Sequence, residues 1–332
     1  MSIRIALDLD GSLESLTNSM GELAHALDER DDCSLVAFRS RTRSSLPGER
    51  SLRGRRLFGP LWRRSLGPSI DRQLGGVDVV HVAGTVTPPT KSVPLIISVD
   101  DLRPFRDDAR TQQRLVQLQR AVARGARIVA SSRTAAHEVQ DVLGLERTQF
   151  AVVRPPVGSL PRTVGGKRLV VNVTGQVDRF MFLAPQFVDF ARREGADLVV
   201  VGSSAMAAKL RAQNIAATFL HRSNATVAIA QARVVINMTD GARFPAFAIA
   251  SLGAGVPTVA RATEINRELL AGAASLIHDD EEILPTLEAM WGDEPRRAIA
   301  TAAGIDRAHD FSPWVVASVY AAFYHEVAGQ HR

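Results

Sequence analysis

Asn237 to Pro257 reads NMTDGARFPAFAIASLGAGVP, and the way this stretch is built decides the fold. It follows an apolar, β-branched run, ARVVIN, and leads through a glycine-punctuated turn into a second run, PTVA. Strand, loop, short helix of small residues and turn are the parts of an α/β edge at which loop amides and a helix N-terminus face an anion. No carboxylate lies between Asp240 and Glu264, so the stretch offers an anion no repulsion and a reaction no acid.

Working outward, the same alternation fills the chain. IRIALD at 3–8 is a first buried strand, Leu16 to Leu27 a helix with Leu16, Met20, Leu23, Ala24 and Leu27 on one face, and CSLVAF at 33–38 a second strand. VDVVHVAG, PLIISVDD, ARIVASS and FAVVRPPVG continue as strands, with helices at 110–125 and in TAAHEVQDVLG. The Pro/Gly break that closes the last of these marks a domain boundary. Beyond it KRLVVNVTG, ADLVVVGSS, ATFLHR, ARVVINM, PTVAR and SLIHDD are strands. They are separated by helices at Pro185 to Glu194 and in MAAKLRAQ, NATVAIAQ and EINRELLAG, and a helical tail runs on from Glu282. Short strands alternating with helices specify parallel sheets. A chain of 332 residues exceeds one ordinary core. The expected architecture is α/β, with two doubly wound Rossmann-like domains facing a cleft.

Composition narrows the function classes. Hydrophobic residues make up 45% and charged residues 23%, and no apolar run is long enough to span a bilayer. The start, MSIRIALDLDGS, reads as a strand rather than a leader, and the single Cys33 leaves no disulfide framework, so a cytoplasmic setting is expected. Eight histidines show no HxH or HExxH spacing, so no metal site is expected, and no GxSxG elbow is present. The net charge of +5 rests on arginine, since the lysines are only Lys91, Lys167 and Lys209. Nine arginines crowd residues 39–68, interleaved with Leu52, Leu57, Phe58, Leu61 and Trp62. That pattern fits a segment lying at the inner face of an anionic membrane, with Arg53, Arg55, Arg56 and Trp62 in contact, and it fits a solvated loop equally. Pro60, Gly54 and Gly59 bar a long helix there. No nucleic-acid module accompanies the patch, and no nucleic-acid partner is expected.

Taken in order, several of these pieces resemble the family 4 retaining glycosyltransferases of the GT-B fold. DVVHVAG and PLIISVDDLRPF are similar to two strands of the family's first domain, and GARIVASSRTAAHEVQDVLGL to its following strand and helix. QARVVINMTDGARFPAFAIASLGAGVPTVA resembles the donor-sugar block, and DFSPWVVASVYAAFYHEV the closing helix. The resemblance implies an acceptor domain at 1–157, a nucleotide-sugar domain at 158–308, and a segment at 309–332 that crosses back to the first domain. It implies transfer of a hexose, with retention, from a nucleotide-diphosphate sugar to a glycan or lipid-linked acceptor, the sugar nucleotide being a co-substrate rather than a cofactor. Gly11, Gly175, Arg179, Gly202, Ser203, His221, Arg222, Gly241, Ala242, Phe244 and Ala250 fall at donor positions, and Asp101 lies on the acceptor side.

The departures are concentrated in one place. Anchored on Gly255-Val256-Pro257, the family's paired glutamates fall on Ala242 and Ala250. The usual arginine is Gln176, the lysine region reads Met181-Phe182, and the histidine of the first domain is Asp100. Positive charge on the leaving diphosphate is the main catalytic term of such transfer. Arg179, Arg243 and Asp240 are the substitutes within reach, with Asp100, Asp240 and Arg243 the catalytic candidates. The bland alternatives are that Arg179 is a solvated loop residue, that Arg243 pairs with Asp240, and that Asp240 caps a helix. Two readings stand: a working transferase, or a catalytically silent binding or scaffold relative. A third is more distant, a haloacid-dehalogenase-type phosphatase using DLDG at Asp8 to Gly11 and the acidic pair Asp100-Asp101.

Overall fold

The computed structural model describes residues 2–10, 19–40, 48–83, 86–99, 109–161, 166–239 and 243–331, with the side chains of Ser51, Arg55 and 109–113 left aside. The chain divides into two compact units, Met1–Pro156 with Ser312–Arg332, and Val157–Phe311.

In the first unit, strands β1 (Ile3–Asp8), β2 (Cys33–Arg39), β3 (Arg50–Ser51), β4 (Val79–Val82), β5 (Leu95–Val99), β6 (Arg127–Ala130) and β7 (Phe150–Val152) form one parallel sheet in the order β3-β2-β1-β4-β5-β6-β7. Its helices are α1 (Ser19–Asp28), α2 (Arg55–Trp62), α3 (Asp71–Leu74), α4 (Ala109–Val122), α5 (Arg133–Leu143) and the late-arriving α13 (Pro313–His331). Parallel strands need covering on both faces, and the alternation within β1 supplies two cores. Ile3, Ile5 and Leu7 pack with α1 and α13, whereas Ala6 joins Phe38, Trp62, Val80 and Leu118 on the other face. The packing of α13 is polar as well as apolar. His81 Nδ1 lies 2.6 Å from the Tyr324 hydroxyl and Nε2 2.8 Å from Ser98 Oγ, all three groups being buried. Burial pushes the His81 imidazole down to about 3, so it stays neutral over the whole physiological range.

In the second unit, β8 (Arg168–Asn172), β9 (Asp197–Gly202), β10 (Thr218–His221), β11 (Ala232–Asn237), β12 (Thr258–Arg261) and β13 (Ser275–Ile277) form a parallel sheet in the order β10-β9-β8-β11-β12-β13. The helices are α6 (Val177–Glu194), α7 (Ser204–Ala212), α8 (Ala225–Ile229), α9 (Ala246–Gly253), α10 (Glu264–Leu270), α11 (Ile283–Gly292) and α12 (Glu294–His309). Gly166, just ahead of β8, passes so close to β11 that a Cβ there would sit 2.2 Å from the Gln231 carbonyl oxygen.

Two expectations change, and one short element is added. The helix expected from Pro185 begins at Val177 and runs through the proline. Phe180, Leu183, Ala184, Phe187, Phe190 and Ala191 keep helical spacing and are all buried, which outweighs the one backbone bond that Pro185 removes. The arginine-rich segment holds an eight-residue helix, α2, with Pro60 inside it. The crossing point after α12 falls at 311/312 rather than 308/309, because Phe311 is fully buried in the second unit. There the Val157 amide donates to the Phe311 carbonyl at 2.9 Å and ties the two ends of that unit together.

Candidate functional site

In the second unit the chain first builds outward from β8 through β9 to β10, then returns and builds the other way through β11, β12 and β13. The order reverses between β8 and β11, and ligands of open α/β sheets bind beyond the strand ends at such a point. Asn172 closes β8, Asn237 closes β11, and the two are register partners. Asn172 Nδ2 donates to Asn237 Oδ1 at 2.7 Å. The remaining groups reach forward: Thr174 Oγ1 donates to Asn172 Oδ1 at 2.9 Å, and Asn237 Nδ2 donates to Thr239 Oγ1 at 2.7 Å. Both asparagines are buried, so these bonds are strong and geometrically demanding. They fix the courses of the two loops that leave the sheet. The sequence signal was present, an asparagine ending each of two apolar runs (LVVN and VVIN), yet neither residue stood among the expected site positions.

Around this pair three helices begin at the same edge of the sheet. Gly175, at φ 82°, turns the chain into α6, whose N-cap Gln176 makes no side-chain cap bond. Ser203 precedes α7 and Pro245 precedes α9, again without side-chain caps. Uncapped first-turn amides and the positive ends of the helix dipoles favour an anion at this edge. Gly202 is packed close, since a Cβ there would meet Met206 at 3.2 Å. His221 ends β10 and Arg222 follows it, two strands from β8 and so roughly 10 Å from the switch point. His221 Nδ1 there accepts from the Ser223 amide at 3.3 Å.

The cationic side chains are not disposed as a bare phosphate clamp. Arg179, in the first turn of α6, donates through Nε to Asp280 Oδ2 at 3.0 Å and through Nη2 to Oδ1. Arg261, at the end of β12, places Nη1 3.5 Å from the same carboxylate. Arg179 is therefore neither a solvated loop residue nor a lone cation. It shares Asp280 with Arg261. Phe244 leans on Phe311 with ring centroids 5.9 Å apart, setting the path of the chain from Arg243 into α9. Ala250 is buried on α9, every residue of which from Ala246 to Leu252 is buried. A groove of about 500 Å³ opens farther along the sheet, between β13 and α11, but Asp279, Glu281 and Glu282 on its rim would repel a diphosphate.

Gly11, Asp100, Asp101, Asp240, Gly241 and Ala242 lie outside the described residues, as does the side chain of Arg55. Arg53 and Arg56 are exposed on the first unit. Trp62 is not available to a surface, contrary to expectation: it is 0% exposed and its indole N–H donates to the Pro68 carbonyl at 3.0 Å. A bulky indole at the inner side of a short amphipathic helix completes the core beneath it.

Asp8, the phosphatase-type nucleophile candidate, is fully buried. The Ser40 hydroxyl donates to its Oδ2, and the amides of Asp10 and Ser40 donate to Oδ1 at 3.0 and 3.1 Å. Desolvation outweighs these bonds and the repulsion from Asp10 adds to it, raising the carboxyl to about 7. A buried carboxyl that keeps its proton up to about pH 7, with its oxygens engaged inside the fold, is a poor nucleophile, and Asp10 faces Arg39 at 3.6 Å, which itself grips Glu49. Among the described residues no His, Cys, Asp or Glu cluster has metal-binding geometry.

Several solved structures share this architecture over their whole length. Sucrose-phosphate synthase from Thermosynechococcus elongatus superposes with a TM-score of 0.69 at 13% identity, covering 99% of this chain and 100% of that one. WaaG, a glycosyltransferase involved in lipopolysaccharide biosynthesis, gives 0.68 at 13% identity over 97% and 99%. HepE from Anabaena, solved in complex with UDP and glucose, gives 0.65 at 12% identity over 98% and 100%. The fold is GT-B. No protein-family model matches the chain, and no curated protein matches it. What it shares with other GT-B structures is therefore architecture, carried by strand order and helix placement rather than by side chains. The closing helix α13 returns to the first unit as the GT-B resemblance implies. Among the described residues no helix is long and apolar enough to cross a membrane.

Proposed function

We propose that the second unit binds a nucleotide-diphosphate sugar at the β8/β11 edge, and that the protein transfers its hexose, with retention, to a glycan or lipid-linked acceptor in the manner of family 4. The reading is carried by the Asn172–Asn237 pair at the topological switch point, with three uncapped helix N-termini opening beside it. That arrangement supports a diphosphate set on backbone amides, with Arg243 at the head of α9 supplying charge as the sugar leaves. HepE, of the same fold, was solved with UDP and glucose, which favours the same ligand class here.

A second reading has observations of its own. Arg179 is committed to Asp280, and Ala250 offers only a buried methyl where the family resemblance implies a ribose-binding glutamate. Both favour a silent relative that binds a sugar nucleotide or a glycan without turning it over.

Titration calorimetry with UDP-, GDP-, dTDP- and ADP-sugars tests the proposal. One donor class should bind, and Arg243→Ala should weaken binding and slow any transfer. No heat with any of the four classes would overturn donor binding. Binding without hydrolysis or transfer across acceptor panels would select the silent reading. Asp280→Asn separates the two further. Freed from its carboxylate, Arg179 can turn to the diphosphate, and binding should tighten by about tenfold, the value of one charge-assisted hydrogen bond. Unchanged binding would remove Arg179 from the site.

A further inference from the structure

Residues Arg50 to Ile70 carry six arginines and no acidic residue, and α2 lies in their midst. Its inner face is fixed. Trp62 is buried, and Phe58 packs beside it at 6.2 Å between ring centroids. The Gln117 side-chain amide donates to the Trp62 carbonyl at 3.2 Å, and the Arg124 guanidinium donates to the Ser65 carbonyl. Gly54, at φ 70°, begins the helix where a Cβ would stand 2.7 Å from the Phe58 ring, so the chain can fold over that ring only as glycine.

The outer face is then presented rigidly. Leu57 is 73% and Leu61 40% exposed, one helical turn apart, with Pro60 exposed between them. Arg56 precedes this apolar pair and Arg63 and Arg64 follow it, all three exposed. An exposed leucine is ordinary by itself. Two on one face, held outward by a buried indole and bracketed by cations, have the pattern of a helix seated at the headgroup boundary of a bilayer. Glu49 does not offset this charge locally, because Arg39 holds it and its side chain is almost wholly buried.

We infer that the outer face of α2 docks the protein on an anionic lipid surface, with Leu57 and Leu61 entering the headgroup layer and Arg56, Arg63 and Arg64 pairing with lipid phosphates. Charge complementarity selects this occupant. Two small leucines anchor too little area for a neutral bilayer, whereas each arginine near an anionic surface strengthens binding roughly fivefold. Nucleic acid fits less well, because the groups between the arginines are aliphatic and the aromatic rings that could stack on bases are turned inward. The inference does not depend on the donor reading, and its test contains no sugar.

The test is co-sedimentation of the full chain with vesicles of phosphatidylcholine alone and of phosphatidylcholine with phosphatidylglycerol. Binding is expected only to the mixed vesicles, weakening as salt is raised. The Arg56→Ser/Arg63→Ser/Arg64→Ser variant should lose on the order of a hundredfold in partitioning. Leu57→Ser/Leu61→Ser should lose about tenfold while leaving the salt dependence unchanged. All five side chains are exposed, so circular dichroism and thermal midpoint should match the parent, and Arg211→Ser on the second unit should change nothing. Absence of binding to mixed vesicles, equal binding to neutral ones, or full binding by the triple arginine variant would overturn the inference. So would arginine-dependent binding to a single-stranded oligonucleotide with none to vesicles, which would make the surface a nucleic-acid face.

Discussion

Two buried groups of the first unit hold opposite protonation debts, and together they hide a pH dependence that either alone would reveal. Asp8 is raised from 3.8 to about 7 by desolvation, and His81 is lowered from 6.5 to about 3 by the same cause. Unfolding returns each to its ordinary value. Between pH ~3.8 and ~7 the unfolded chain has released the Asp8 proton that the folded chain keeps, so this group's contribution is fully present at low pH and is lost as pH rises. His81 has the reverse sign: below pH ~6.5 the unfolded chain takes up a proton that the folded chain refuses, so stability falls as pH falls. Each slope is about 1.4 kcal/mol per pH unit, and over the shared window they cancel. Asp8→Asn removes one arm. The first unit should then gain about 3 kcal/mol between pH ~4 and ~6.5, where the parent is nearly flat. His81→Gln should produce the mirror image, a loss of similar size over the same range. The absolute stability of His81→Gln will also drop, because Tyr324 and Ser98 lose their ring partner, but the slope is the diagnostic quantity. Urea unfolding followed by tryptophan fluorescence in a Trp291→Phe background reads the first unit, since Trp62 and Trp314 both belong to it and Trp291 to the second. If both variants track the parent's pH profile, the two groups do not titrate as their burial dictates, and the argument from desolvation fails.

Gly166→Ala should destabilise the second unit by about 3 kcal/mol or prevent its folding, because the new methyl meets the Gln231 backbone oxygen and neither backbone can yield without parting β8 from β11. The measurement is the thermal midpoint, with Gly272→Ala, where a Cβ meets nothing within 4 Å but φ is 78°, showing backbone strain alone. Asn237→Ala should cost about 2 kcal/mol by leaving the Asn172 side-chain amide buried without an acceptor, and restoring the acceptor with Asn237→Asp should recover part of it. A chemical-denaturation series on the three proteins decides this.

The architecture was legible in the sequence because it rests on periodicity. ARVVIN, LVVN and IRIALD are β-branched runs of strand length between polar turns, and such runs survive as strands at any sequence distance from their relatives. The start of α6 was not legible, since Gly175 and Pro185 both signal a break and only tertiary burial of Phe180 and Phe187 decides otherwise. Trp62 was misread for a related reason: a tryptophan among arginines looks interfacial until the core beneath it is seen. At the candidate site the same limit applies to pairs. Arg179 could be named from its spacing after Gln176, but its partner Asp280 lies 101 residues away, and no local pattern links them. Asn172 and Asn237 are separated by 65 residues and meet only because β8 and β11 are neighbours across the reversal in strand order.

The bond between the Val157 amide and the Phe311 carbonyl bears on how the chain assembles as it is made. The second unit is an insertion whose two ends meet, so it can close as soon as its own residues are available. The first unit cannot. Its seven described strands are complete by Val152, yet the sheet face that α1 covers in part is finished only when α13 brings Tyr320, Tyr324 and Val327 to Ile5, Leu7 and Val79. During synthesis the half begun first is therefore the half finished second, and through that interval it exposes part of an apolar sheet face. A chaperone that engages the nascent chain should bind before α13 emerges and let go after it.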